Sequence, residues 1–187
     1  MEFLSQLWVP ILLSTVAVFI ASSVIHMLVP IHKSDYKSVP DEGRLLDALR
    51  PLNLAPGEYY FPWCADMREM KKPEYMQKRI TGPVGTITVT PPGPPTITKN
   101  LLQWTLFTLV IAMFTAYIGY HALDRGTPFA SVLRVTGAVA MLGFAPAYVH
   151  SAIWKGLSWS TTFKFVFDGI IYGLVMGAIF GWLWPAA

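Results

Sequence analysis

Four long apolar stretches decide what this chain can fold into. They run roughly from Leu7 to Ile31, from Leu101 to Leu123, from Phe129 to Trp154 and from Phe163 to Trp184. About 20 mostly apolar residues are enough to cross the hydrocarbon core of a bilayer as a helix. Unpaired backbone is intolerable in lipid, so each stretch is expected to be helical. Charged residues make up only 13% of the 187, against about 25% in ordinary soluble domains. The expected fold class is therefore an all-α membrane protein. It has four transmembrane helices and a mostly irregular loop subdomain containing a short helix and a short strand. The domain reading is a first transmembrane helix over 1–32, a loop subdomain over 33–100 and a three-helix segment over 101–187. In that segment the spans cover about 101–123, 129–154 and 163–184. No Lys or Arg precedes the first apolar stretch, so it reads as a retained helix rather than a cleaved leader.

Charge placement orients the spans. Ten of the fourteen Lys and Arg residues lie between the first and second spans, from Lys33 to Lys99. Basic loops stay on the cytoplasmic side. Residues 33–100 are thus expected in the cytoplasm, both termini in the periplasm, and the protein in a bacterial inner membrane. Tryptophans 8, 104, 154, 159, 182 and 184 fall at expected helix ends, where an indole keeps its ring buried and its N–H wet. No long run of one charge sign points to nucleic acid. A lone cysteine, Cys64, excludes an intrachain disulfide.

Within the loop, Pro40, Asp41 and Glu42 mark a helix start ahead of Leu45, Leu46 and Leu49, and Pro51 ends it. Residues 56–67, PGEYYFPWCADM, read as an aromatic-rich turn region. Residues 69–79 are polar with short-helix potential, and 85–90, GTITVT, alternate like a strand.

The last span reads DGIIYGLVMGAIFGWLWP, with Gly169, Gly173, Gly177 and Gly181 at every fourth position. At 3.6 residues per turn this spacing makes a shallow groove of about 18 Å along one helix face. Helices in lipid gain association energy from close backbone packing, not from a hydrophobic drive. A tight helix contact is expected there. Its partner is either another span of this chain or a second protein; the first span offers Ser14, Ala17, Ala21 and Ser22, the second Thr108, Ala112, Thr115, Ala116 and Gly119, and the third Thr136, Gly137, Ala140, Gly143 and Ala147.

Asp168 opens that glycine series from inside the span. A carboxylate in the bilayer is costly and seeks a partner. Counting rises from the helix ends places His26 and His150 at compatible depth, so Asp168, His26 and His150 form a candidate polar cluster. It is either a clasp that fixes helix register or a proton-handling site. No motif demands a cofactor and none is expected, although two histidines on facing helices have the residue type to hold a haem iron or a metal at His26 and His150. Weaker candidates for a metal or acid–base site are His32, Asp35 and Cys64, whose spacing follows no known ligand pattern. Pro146, with Gly143 nearby, is expected to bend the third span.

The stretches HMLVPIHKSDYKSVPDEG, LAPGEYYFPWCADM, TGPVGTITVTPPG and FDGIIYGLVMGAIFGWLWP resemble a family of uncharacterised bacterial membrane proteins. That family carries a His-rich stretch after the first span, a PGxYxFP turn and a closing DGxxYGxxxGxxF helix. The resemblance implies a four-helix inner-membrane protein and assigns no catalytic residue. The expected function is a non-catalytic accessory or scaffold subunit of a larger membrane complex, respiratory or photosynthetic. Its partners are the lipid bilayer and other membrane subunits. The alternative is a small proton-coupled transporter working through Asp168 and His26.

Overall fold

The computed structural model describes residues 2–187. It is mostly helical, with four helical segments long and apolar enough to span a membrane: Glu2–Leu28, Ile97–Ala122, Phe129–Lys155 and Trp159–Trp182. The chain divides into two units, Met1–Tyr36 with Thr96–Ala187, and Lys37–Pro95.

In the first unit, α1 (Glu2–Leu28) bends near its start, where Leu7 leaves helical geometry. Pro10 explains the bend, since it removes an N–H and crowds the preceding turn. Pro30 prevents the helix from running on as far as the sequence reading put it. The residue before a proline is driven from helical to extended backbone, and Val29 is extended at φ −90°, ψ 123°. A short 3₁₀ turn, Pro30–Ser34, follows.

Helix α4 (Ile97–Ala122) packs on α1, and α5 (Phe129–Phe144) packs most extensively on α7 (Trp159–Trp182). Between α5 and α7 lies α6 (Pro146–Lys155). The third span is thus two helices that meet at Ala145, immediately before Pro146. The core runs along the bundle through Leu7, Val18, Ala116, Val132, Met176 and Phe180. Small hydroxyl residues share it. Ser14 and Thr15 donate to the Ile11 carbonyl and Thr136 to that of Val132, which satisfies these hydroxyls inside their own helices.

The four glycines of α7 face α5. A Cβ at Gly177 would lie 2.8 Å from the Gly137 Cα, and one at Gly169 would lie 2.8 Å from the Ala145 Cβ. At Gly173 it would overlap Met141, and at Gly181 it would come 2.7 Å from the Phe129 ring. The contact lies within one chain and brings two backbones to a distance that no larger residue permits.

Two indoles do more than mark an interface. Trp104 donates to the Ser22 hydroxyl at 3.0 Å, tying α4 to α1, and Trp184 donates to the Asp124 carbonyl at 2.9 Å. Trp8, Trp154, Trp159 and Trp182 remain exposed.

The second unit holds α2 (Glu42–Leu49), α3 (Pro73–Thr81) and a two-stranded antiparallel sheet of β1 (Gly57–Phe61) and β2 (Gly85–Val89). Asp41 caps α2 by accepting from the Arg44 N–H at 3.0 Å. The sheet corrects the reading of residues 56–67 as turn alone. GEYYF is a strand whose Tyr59 pairs with Ile87. Adjacent aromatics hide its two-residue alternation, and Pro56 and Pro62 bound it.

Candidate functional site

The site is built where α1 ends and α7 has run through its first turns. On α7, Lys164, Asp168 and Tyr172 are spaced by four, so they project from neighbouring positions along one face. Gly169 turns the adjacent face to Ala145. Across from them stand His26, in the last turn of α1, and His32 and Asp35, carried back over α7 by the turn that Pro30 imposes.

Asp168 is 1% exposed. Its Oδ2 lies 2.9 Å from His32 Nε2 and 3.8 Å from His26 Nε2. The approach of His32 is out of line for a hydrogen bond. His32 Nε2 and both Asp168 oxygens are therefore buried without a hydrogen-bond partner among the described residues. Such groups normally find one, and a buried carboxylate without one is expensive.

The opposite nitrogen of His32 is firmly held. Nδ1 lies 2.6 Å from Asp35 Oδ2. Asp35 Oδ1 accepts from Lys164 Nζ at 2.8 Å, and the same ammonium donates to Ser34 Oγ at 2.8 Å. Burial opposes ionisation of Asp35. The hydrogen bonds from Lys164 and His32 outweigh it and hold the carboxyl below its ordinary range. A carboxylate on Nδ1 fixes the proton there and turns the Nε2 lone pair towards Asp168.

The rings pack as well as bond. His26 and His32 have centroids 4.3 Å apart, His32 lies 5.1 Å from the Phe165 ring, and Phe165 stacks on Tyr148 at 4.4 Å. Tyr172 brings its hydroxyl 3.5 Å from His26 Nε2. Beside the cluster lies a partly open cavity of about 450 Å³. Trp104, Phe107, Phe144 and Tyr148 wall it, and His26, Asp168 and Tyr172 form its polar end. Gly143, Phe144 and Ala147 place the junction of α5 and α6 in its wall.

Of the expected polar cluster, His26 and Asp168 meet and His150 does not join them. Past the break at Ala145, His150 sits on an exposed face of α6. Depth counting on an unbroken third span could not give that. His32 and Asp35 occupy the site instead. Cys64 belongs to the other unit, where its thiol donates to the Asp66 carbonyl at 2.9 Å. Tyr172, Tyr148, Phe165 and Lys164 lie outside the candidates taken from the sequence. The four-residue spacing of Lys164, Asp168 and Tyr172 was the available signal.

One ring nitrogen each of His26 and His32 and an Asp168 oxygen all lie within 4.8 Å of one another. The arrangement can bind a cation or exchange a proton at a buried carboxylate. A haem held between His26 and His150 does not fit it, since His150 is elsewhere. Compared with protein-family profiles, curated proteins and solved structures, the chain matches none of them, so no family is identified and the membrane architecture rests on the chain's own four helices.

Proposed function

We propose that this is a small cation-coupled membrane protein, in which Asp168 holds and releases a positive charge at the inner end of the side cavity. The carrying observation is the buried carboxylate with two unpartnered oxygens between His26 and His32. Two carboxylates, Asp168 and Asp35, face one ammonium, Lys164, so the cluster is one positive charge short before any charge on His26 or His32 is counted. A proton or an external cation makes up the deficit. The helix junction at Ala145 forms part of the cavity wall, where a change in bend alters access to Asp168. The concentration of basic residues in 33–100 supports a cytoplasmic location for that segment in a bacterial inner membrane.

Infrared titration of the detergent-purified protein tests the reading. A carboxyl stretch that comes and goes with pH, and is missing in Asp168→Asn, supports it. A spectrum in which Asp168→Asn removes no titrating band refutes it.

A second reading, an accessory subunit of an energy-transducing complex, is favoured by apolar side chains exposed outside the spans. Trp63, Met67 and Ile80 are each about three-quarters exposed in the loop unit. Stoichiometric larger subunits retained through mild-detergent purification from the native membrane support that reading, and a protein that elutes alone refutes it.

A further inference from the structure

The geometry points to a divalent transition-metal site made by His26 Nε2, His32 Nε2 and the Asp168 carboxylate. It deepens the cation-coupled reading and rests on it. Three observations converge. His32 Nε2 and His26 Nε2 lie 2.9 and 3.8 Å from Asp168 Oδ2, and one donor atom from each of the three residues lies within 4.8 Å of the others. Ligands about 2.0–2.2 Å from a tetrahedral zinc-like ion stand about 3.3–3.6 Å apart, so small side-chain shifts close the set.

Two of the three ligand residues are also left free in the way a metal requires, while His26 Nε2 has the Tyr172 hydroxyl at 3.5 Å. His32 Nε2 and both Asp168 oxygens are buried without hydrogen-bond partners. A structural ion pair or a polar clasp would instead align His32 N–H with the carboxylate.

The supporting contacts match those of a metal-bound histidine. Such a ligand donates its other ring nitrogen to a carboxylate, which fixes the tautomer and raises the basicity of the ligating nitrogen. His32 Nδ1 does this with Asp35 at 2.6 Å, and Lys164 anchors Asp35 at 2.8 Å. Imidazole and carboxylate donors suit zinc, cobalt, iron or nickel rather than magnesium or calcium, which take oxygen ligands. Three protein ligands leave a fourth position, and the cavity and Tyr172 lie beside it.

Cobalt(II) titration into chelator-treated, tag-free protein in detergent tests this. The proposal expects ligand-field absorption that saturates at one ion per chain and is displaced by zinc. Asp168→Asn and His32→Gln lose the bands. Asp35→Asn, a positioning change, keeps them with affinity about 10–100-fold weaker. His150→Gln and Cys64→Ser leave them unchanged. Elution profile and thermal unfolding confirm that each variant is folded. Absence of bands in the wild-type protein, or bands that survive in Asp168→Asn, overturns the metal site. If bands are absent while the Asp168 infrared band still titrates, the metal assignment falls and the cation-coupled reading stands. If both are absent, both fall.

Discussion

Gly177 of α7 and Gly137 of α5 meet backbone to backbone: a Cβ on the first would come within 2.8 Å of the Cα of the second. Gly173 and Gly181 crowd Met141 and Phe129 in the same way, so the whole groove is filled by one neighbouring helix. That contact sets the rotation of α7, and through it the direction in which Lys164, Asp168 and Tyr172 face.

Gly177→Val is therefore expected to force the two helices apart. Overpacking in a close-packed core costs about 1–3 kcal/mol, and here the obstructing atoms are backbone, which yields less than a side-chain tip. Leu174→Val, on an exposed face of the same helix, is expected to stay within about 0.5 kcal/mol of wild type. Thermal unfolding of both variants in one detergent checks the difference.

Asp35 makes stability depend on acid. Its folded-state carboxyl is held below its ordinary value of 3.8 by Lys164 and His32, against the opposing effect of burial. The stabilisation is complete above that ordinary value and is lost as pH falls through the folded one. In chelator-treated protein, the melting temperature should drop more steeply from about pH 5 to about pH 3 in wild type than in Asp35→Asn. Parallel slopes would contradict the assignment.

The side cavity should govern access to Asp168. Ala147 lies in its wall and is exposed to it, so Ala147→Phe fills space without entering the core. Little change in thermal unfolding is expected. Hydrogen–deuterium exchange at the Asp168 carboxyl, followed by its infrared band, should slow several-fold (on the order of the rate changes produced by about 1 kcal/mol). Unchanged exchange would mean that protons arrive by another route.

Trp104 and Ser22 join α4 to α1 through a 3.0 Å hydrogen bond beside the cavity. Ser22→Ala removes the acceptor and leaves the indole N–H unpaired. The expected loss is about 1–3 kcal/mol, the cost of stranding a polar group away from water. Chemical or thermal unfolding measures it, and Ser23→Ala, which breaks only a bond within α1 to the Phe19 carbonyl, should cost less.

Much of the membrane unit is legible in the sequence. Apolar length marks the four helical spans, and the glycine interval marks the face of α7 that something must approach closely. Which helix would approach it is a matter of tertiary packing, and spacing along one segment carries no information about that. Pro30 already ends α1 short of Ile31, and the His32-to-Asp35 spacing lies in plain view just beyond it. Reading the span onward to Ile31 left His32 outside the membrane part of the site and gave its place to His150. Pro146 was correctly a bend, yet the consequence for His150, a turn away from the bundle interior, depends on the size and direction of the break at Ala145. In the loop unit, β1 escaped because Tyr59, Tyr60 and Phe61 run together and its partner β2 lies far along the chain rather than across a tight turn.

The most direct measurement is cation flux in proteoliposomes, comparing wild type with Asp168→Asn at equal reconstitution. An imposed pH or zinc gradient should relax through the wild-type protein, and through Asp168→Asn no faster than through empty vesicles. Equal flux through both proteins, or none above empty vesicles through either, would contradict the claim that Asp168 carries the charge.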